Sequence, residues 1–456
     1  MRLHAGAALR PLRYRNFALL WTASLISNIG SWMQTVAVGA LVISTTGQAS
    51  WAVLVAAGAF LPIGLLSPVG GALADRLPRR PVIAAGNLAA GLVAVAIALL
   101  VANGHAGPYA LLGLVTLQGS ASALIGPFSQ AILPDLVPRS EFLAATSLNS
   151  AQWNAGRIVG PALAGATVAA FGFAASFTAN AISFLAVVIA LLFVRLAPPP
   201  GSHDGLFGSM RDGLRAAWAQ PACRAATIAI GTVAFLAAPF IALVPAVALS
   251  LSGGGASSIA AATAALTTAQ GSGAVAGALV LPPLALRIGR GPALGWSLAL
   301  LPVALIAYGA APSLWLAVAA LFVVGLVYMG VLSGLQTVAQ LQAPAAYRGR
   351  VLSFFLVALG VAYPLGALAQ GPVANHIGVG WTTVAAALTL AIVGVIVAWR
   401  SPAFVRAIIG SAPPEDGTAE GTTADDDTGE DHLAGLAGPA SPPDGGMLTP
   451  STGLAD

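Results

Sequence analysis

Long apolar segments, almost free of charge, follow one another along nearly the whole chain. They cover residues 17–46, 50–74, 81–102, 108–132, 142–170, 173–196, 223–251, 258–285, 291–311, 313–340, 350–373 and 378–400. Each can supply the roughly 20 apolar residues that a helix needs to cross a bilayer. The runs are continuous rather than alternating, which indicates helices and not a barrel. Only 7% of the residues are charged, too few to cover a water-facing surface. The sequence predicts an all-α integral membrane protein with twelve transmembrane helices.

The arginines predict how these helices are oriented. All 19 basic residues are arginines. With twelve spans and the N-terminal arginines in the cytoplasm, every arginine except Arg157 falls in a cytoplasmic segment, as the positive-inside rule requires. We therefore expect a multi-pass protein of the cell's inner (plasma) membrane, surrounded by lipid, with both termini cytoplasmic. The basic pI reflects this topology, so no nucleic-acid partner is expected.

The longest predicted cytoplasmic connection divides the chain into two halves. We expect six-helix bundles at residues 1–196 and 223–400, joined by a cytoplasmic loop at 197–222. The sequence from Leu73 to Arg79 resembles that from Leu284 to Arg290 at the same place in the second half, which predicts pseudo-symmetric bundles. Residues 401–456 hold ten of the 15 acids and many Gly, Pro and Ser residues. This composition predicts a disordered, acidic cytoplasmic tail.

A short charged turn separates the second and third apolar segments. It contains Gly71, Asp75, Arg76, Arg79 and Arg80. Such a turn cannot lie in hydrocarbon, so it is predicted to be a hinge on the water side. The arginines alone could be topology anchors. Asp75, however, ends a helix where the dipole disfavours an anion, so a cationic partner is expected to offset it.

Arg157 is the one charged residue that the sequence places deep in the membrane. A lone arginine there costs several kcal/mol unless it faces a cavity or a partner. Two readings stay open: amides such as Asn28 and Asn154 could satisfy it, or it could meet an anionic group of a substrate. Small and helix-bending residues surround it and permit close helix approach: Gly156, Gly160, Pro161 and Gly165.

Other polar residues inside the apolar segments are candidates for the same cavity. The predicted substrate cavity comprises Arg157, Asn28, Gln34, Gln118, Asn154, Gln336 and Tyr363. Each amide could bind substrate or hydrogen-bond between helices. The single Cys223 excludes an internal disulfide. No metal-binding, nucleotide-binding or hydrolase motif is present, so no metal, no cofactor and no enzymatic activity are expected.

These motifs resemble the major facilitator superfamily of secondary transporters. The hinge resembles the loop between helices 2 and 3 of that family, although Pro78 stands where the family usually has Gly. The Gly-Pro pattern around Arg157 resembles the span-5 motif of its antiporter-type exporters. Further segments are similar to the branch with the enterobactin exporter and macrolide efflux proteins: Tyr14-Arg15-Asn16-Phe17, Ser27 to Gln34, Leu133 to Asn149, and Arg348-Gly349-Arg350.

The resemblance implies a carrier that works by alternating access and exports a small organic molecule, a siderophore or a drug, by proton antiport. It also implies a monomer in which Asp75 docks against the start of span 11, where Arg348 and Arg350 lie. Val115 occupies a position where many antiporters have a membrane arginine. An importer or facilitator with the same fold remains the alternative, and a membrane sensor or intramembrane enzyme a remote one.

Overall fold

The computed structural model describes residues 9–74, 76–194, 218–343 and 348–410, without the side chains of 349 and 350. Twelve long helices fill these ranges. We number them α1 (Arg15–Thr46), α2 (Ala49–Ala74), α3 (Arg79–Ala102), α4 (Pro108–Ala131), α5 (Phe142–Phe171), α6 (Phe173–Phe193), α7 (Pro221–Leu236 and Phe240–Leu251), α8 (Ala256–Ile288), α9 (Arg290–Gly309), α10 (Leu314–Gln342), α11 (Arg348–Ile377) and α12 (Val379–Arg400). Short turns Arg10–Arg13, Leu133–Leu136 and Arg139–Glu141 and a final helix, α13 (Pro402–Ile409), complete the described part.

Eleven of the twelve long helices are long and apolar enough to cross a membrane, counted over the described residues. The exception is α5, which has 30 residues but carries Arg157 and several amides that lower its hydropathy. It packs inside the bundle against α1 and α8. The expectation of an all-α membrane protein with twelve helices is therefore confirmed, and the most polar helix is an interior one.

The helix contacts repeat between the two halves. In the first half α1 packs on α5, α2 on α4, and α3 on both α4 and α6. Six helices later the same pattern returns: α7 packs on α11, α8 on α10, and α9 on both α10 and α12. The halves meet through α2 with α11 and through α5 with α8, which are equivalent pairs under this repeat. The predicted pseudo-symmetry of the two bundles is thus visible in the packing.

The main contacts between the halves run from the middle of the bundle to the end opposite the arginines, which we call the far end. There Asn375 of α11 bonds Ser50 of α2 twice, at 2.8 and 3.3 Å. A Cβ on Gly64 would stand 2.9 Å from the backbone of Gly360, so α2 and α11 touch through glycines at mid-height. These contacts close the far end of the interface.

Helix α7 is interrupted near its middle, whereas the sequence predicts one continuous run over 223–251. Pro239 has no N–H, so the carbonyl of Phe235 four residues earlier has no helical partner. Gln370 of α11 supplies one: its Nε2 donates to the carbonyls of Phe235 at 3.2 Å and Leu236 at 3.0 Å. Gln370, an amide inside an apolar segment of the sequence, thus bonds the carbonyls that the interruption of α7 leaves without helical partners.

The predicted tail starts too early at residue 401. Pro402–Ile409 forms α13, which places Ile408 in the core with 4% exposure and sets Ile409 against Gly291 of α9. Apolar residues at helical spacing explain why these eight residues fold. Residues 411–456, and most of the expected loop at 197–222, lie outside the described residues.

Candidate functional site

Along one face of α5 the side chains change from exposed to buried. Trp153, nearer the arginine-rich end, is 59% exposed, and Arg157 one turn further is half-buried. Two turns beyond, Ala164 is 1% exposed and packs with Met33 of α1 and Ala264 of α8. Because spacings of three and four residues keep these side chains on one face, the interior between the halves opens toward the arginine-rich end.

Arg157 lies where this opening narrows. Its guanidinium carbon stands 5.9 Å from the centre of the Trp32 ring, within the range of a cation–π contact. Trp32 in turn meets Trp153 edge to face, with ring centres 6.1 Å apart. The Nε atom of Arg157 is buried without a hydrogen-bond partner among the described residues. A buried donor left in this state can take a hydrogen bond from a ligand that enters the opening.

Glycines in α5 bring the neighbouring helices close enough to build this site. A Cβ on Gly156 would lie 2.5 Å from the Asn28 amide, and one on Gly160 would lie 2.8 Å from the Ile29 carbonyl, both on α1. On another side, a Cβ on Gly165 would lie 2.8 Å from Ala264 of α8. The glycines of the predicted motif therefore seat α5 against one helix from each half, and Pro161 is buried between them.

The second half contributes its own buried polar groups. Gln270 of α8 precedes Gly271, which packs against the backbone and side-chain stem of Arg157. The Nε2 atom of Gln270 and the hydroxyl of Tyr363 on α11 are both buried without a partner in the described part of the chain. Tyr328 of α10 lies close enough to Arg157 and to Tyr363 to interact electrostatically with both. We call Arg157, Tyr328 and Tyr363 the central cluster.

Several predicted cavity residues bond to other helices instead. Gln34 of α1 donates to Gln118 of α4 at 2.5 Å and accepts from Asn180 of α6 at 2.7 Å, which ties three helices of the first half together. Asn28 donates to the Gln152 carbonyl of α5 at 3.0 Å. These amides fit the role of bonds between helices, one of the two alternatives that the sequence leaves open.

Two further predicted cavity residues, Asn154 and Gln336, form no hydrogen bond with Arg157 in the described part of the chain. Asn154 donates to the Ser150 carbonyl of its own helix at 2.8 Å. Gln336 is half-buried on α10. With Asn28 and Asn154 engaged elsewhere, the amides suggested as partners of Arg157 do not satisfy it in this structure.

Two hinge arginines, Arg79 and Arg80, bind within the first half. Arg79, which is 9% exposed, forms an ion pair with Asp135 at 2.9 Å and donates to the Ala131 carbonyl at the end of α4. Arg80 donates to the Leu192 carbonyl at the end of α6 at 3.1 Å. Cations at the start of α3 therefore satisfy the free carbonyls of two helix C-termini, where the helix dipole favours positive charge.

The predicted latch between the hinge and span 11 falls outside the described residues, since Asp75 and the side chain of Arg350 are not among them. Arg348 begins α11 and is exposed, and Arg76 forms the turn after α2. A Cβ on Gly71 would meet no atom within 4 Å. The latch stays a prediction.

The sequence alone predicts only some of the residues that form this site. The sequence predicts Arg157 and Tyr363 as cavity residues, and both belong to the central cluster. It does not single out Trp32 and Trp153. Their spacing from Gly156 and Arg157 was the available signal: it places Trp153 on the face of α5 that carries the charge.

The sequence model of one family, described as transmembrane secretion effector, matches residues 6–409. The chain belongs to this family of major facilitator transporters. Among similar curated proteins, the multidrug efflux pump Tap of Mycobacterium tuberculosis is 28% identical to this chain over 405 residues, covering 84% of this chain and 93% of Tap. The chain is 31% identical over 173 residues to the staphyloferrin A transporter of Staphylococcus aureus, covering 38% of this chain and 44% of that protein.

Solved structures show the same fold. A bacterial homologue of the human lysosomal transporter Spinster, in an inward-facing conformation, aligns with a TM-score of 0.67 and 17% identity, covering 88% of this chain and 99% of the other. A POT family transporter in complex with 5-aminolevulinic acid aligns with a TM-score of 0.67 and 13% identity, covering 86% and 96%. Together with the family match and the relatives, this fold shows that the chain is a multi-pass membrane transporter of a bacterial family and not an enzyme.

Proposed function

We propose that this transporter exports a small organic molecule, a siderophore or a drug, by alternating access, and that Arg157 binds an anionic group of that molecule. The observation that carries the proposal is the position of Arg157: a half-buried cation at the narrow end of an opening, with an unpartnered donor. A cation held in a low-dielectric interior attracts an anion far more strongly than one in water.

The direction of transport is inferred from the relatives and from the α5 motif. The Tap proteins are named as efflux pumps, and the one compared above is matched over most of its length. The staphyloferrin A transporter, matched over a shorter part, supports a siderophore as one candidate substrate. Import or facilitated passage through the same fold is the competing function.

Orientation and energy coupling complete the proposal. Arginines at the starts of α1, α3, α9 and α11 and at the end of α12 support cytoplasmic termini in a plasma membrane. Proton antiport is the coupling that the resemblance to antiporter-type exporters favours. No Asp, Glu or His lies deep in a described helix, so the proton-carrying group is unassigned; Asp75, which the sequence places at the membrane edge, is the nearest candidate. We expect one chain to suffice.

Transport into inside-out vesicles tests the proposal. Carboxyfluorescein serves as an anionic probe and ethidium as a cationic one, each with and without an inward-acid proton gradient. We expect gradient-driven accumulation of the anion, lost in Arg157→Ala and retained in Arg139→Ala, an exposed arginine in the turn before α5. Accumulation in right-side-out vesicles instead would indicate import. Equal loss of both probes in a well-folded Arg157→Ala protein would assign Arg157 a purely structural role.

A further inference from the structure

Two tryptophans lie beside the cation of the proposed site, on the open side of it. Trp153 is on α5 one turn nearer the arginine-rich end than Arg157, and Trp32 is on α1. The rings meet at 73° with centres 6.1 Å apart, an edge-to-face geometry that leaves a ring face free. The three side chains form a continuous surface of one cation and two indoles.

This surface is not explained by packing alone. The contact between α5 and α1 is made by Gly156 and Gly160, which meet the α1 backbone and side chains directly. Trp153 adds little burial to that contact, because 59% of it is exposed. An indole that is exposed inside a polar opening leaves a large apolar area in water, and covering that area with a ligand is favourable.

Lipid is the other candidate to cover Trp153, since tryptophans are common where helices leave the membrane. The face of α5 argues against it. Arg157 and the buried Ala164 lie on the same face as Trp153, and Ala164 packs between α1 and α8 in the interior. The side chain of Trp153 therefore extends toward the space between the halves and not toward the bilayer.

We propose that Trp153 and Trp32 form an aromatic subsite next to Arg157, and that the transporter selects molecules in which a planar aromatic ring adjoins an anionic group. This inference rests on the proposed anion site and adds the ring to it. The ring stacks on the free indole face of Trp153 while the anion binds the guanidinium. An aromatic cation binds more weakly than an aromatic anion of the same size, because the positive charge of Arg157 lies within the same short surface.

Three probes of nearly equal size separate ring and charge: 2-naphthoate, its saturated analogue decahydro-2-naphthoate, and the uncharged 2-naphthamide. Equilibrium binding of each is measured by calorimetry on the full-length protein in nanodiscs. The variants are Trp153→Leu and Trp153→Phe, with Trp399→Leu as the control. Trp399 is 80% exposed near the end of α12 and far in sequence from the site. Thermal unfolding verifies that each variant is folded.

We expect 2-naphthoate to bind about 2- to 10-fold more weakly to Trp153→Leu, the range of an aromatic pair contact, with decahydro-2-naphthoate unchanged. Trp153→Phe should keep most of the preference for the aromatic ring, and Trp399→Leu all of it. An unchanged ratio of the two acids in Trp153→Leu overturns the aromatic subsite and leaves the anion site standing. Equal binding of 2-naphthoate and 2-naphthamide to the unmodified protein overturns the anion site itself, and so does a failure of all three probes to bind.

Discussion

Replacing Asn375 by alanine should open the far end of the transporter. The Oδ1 atom of Asn375 accepts from the backbone N–H of Ser50, and its Nδ2 atom donates to the Ser50 hydroxyl. Ser50 is the second residue of α2, so its N–H has no partner within its own helix. Asn375 thus caps a helix that belongs to the opposite half, and the cap exists only while the far ends of α2 and α11 touch.

The size of the expected shift follows from the free energy that such a helix cap contributes. Losing a side-chain cap at a helix N-terminus costs about 0.5–2 kcal/mol. Since the cap is made only in the closed arrangement, that whole amount shifts the balance between closed and open far ends. Asn375→Ala should therefore lower the closed-to-open ratio by about 2- to 30-fold.

A single reporter cysteine measures this ratio. Ala57 lies two turns from Ser50 on the same face of α2 and is 4% exposed, so Ala57→Cys is shielded while the far end is closed. The native Cys223, which is buried, is first replaced by alanine. A membrane-impermeant maleimide added to the far side then labels the reporter at a rate proportional to the open fraction. We expect labelling to accelerate by the same factor in Asn375→Ala.

Two controls make the test decisive. Asn375→Asp keeps the oxygen that accepts from Ser50, and aspartate is as good a cap as asparagine, so its labelling rate should stay near that of the parent. Asn103→Ala removes an exposed far-end amide that bonds only the Leu99 carbonyl of its own helix. Labelling of Asn375→Ala at the parental rate would refute the reasoning that this cap holds the far end closed.

Three further changes test other contacts. Arg79→Ala leaves the partly exposed Asp135 without its cation and should lower the free energy of unfolding by about 1–3 kcal/mol. The double variant Arg79→Met, Asp135→Leu should recover most of this loss in thermal unfolding, and no recovery would contradict the ion pair. Gly160→Ala forces a methyl group onto the α1 backbone and should cost about 1–3 kcal/mol, whereas Gly113→Ala, with no atom within 4 Å, should leave the melting temperature unchanged. Gln34→Leu removes the bonds between helices and should lower the free energy of unfolding by about 0.6–2 kcal/mol without altering charge selectivity. Loss of the preference for anions would show instead that Gln34 is part of the substrate site.

Most of the fold could be predicted because a chain can cross the hydrocarbon core of a bilayer only as helices or as a closed barrel. The sequence predicts helix α5 at 142–170 and the structure has it at Phe142–Phe171; the apolar segments predict the number of spans and the arginine pattern supports it. The break in α7 could not be located in this way. Pro239 interrupts its helix, but Pro245 in the same span does not, so a proline in the sequence does not by itself locate a break.

The site was harder to predict than the fold, because its parts come from distant positions. Arg157 stood out since a charge inside an apolar run has few explanations. Gln34 and Gln118 looked like cavity residues because sequence shows that an amide is inside the membrane, but not that another amide 84 positions away will bond it. Gln270 is predicted only as one of several amides inside the apolar segments, and Tyr328 is distinguishable only in the folded structure, where α10 brings it near Arg157.

The interruption of α7 has a mechanical consequence. Its segment Phe240–Leu251 packs mainly on α8 and also contacts α1 and α2 of the first half, whereas its segment Pro221–Leu236 packs on α10 and α11. The span is thus two helices that meet at a joint, and the second of them contacts both halves. If the halves rock as proposed, bending can be confined to the three residues between these helices, beside which Gln370 bonds the Phe235 and Leu236 carbonyls.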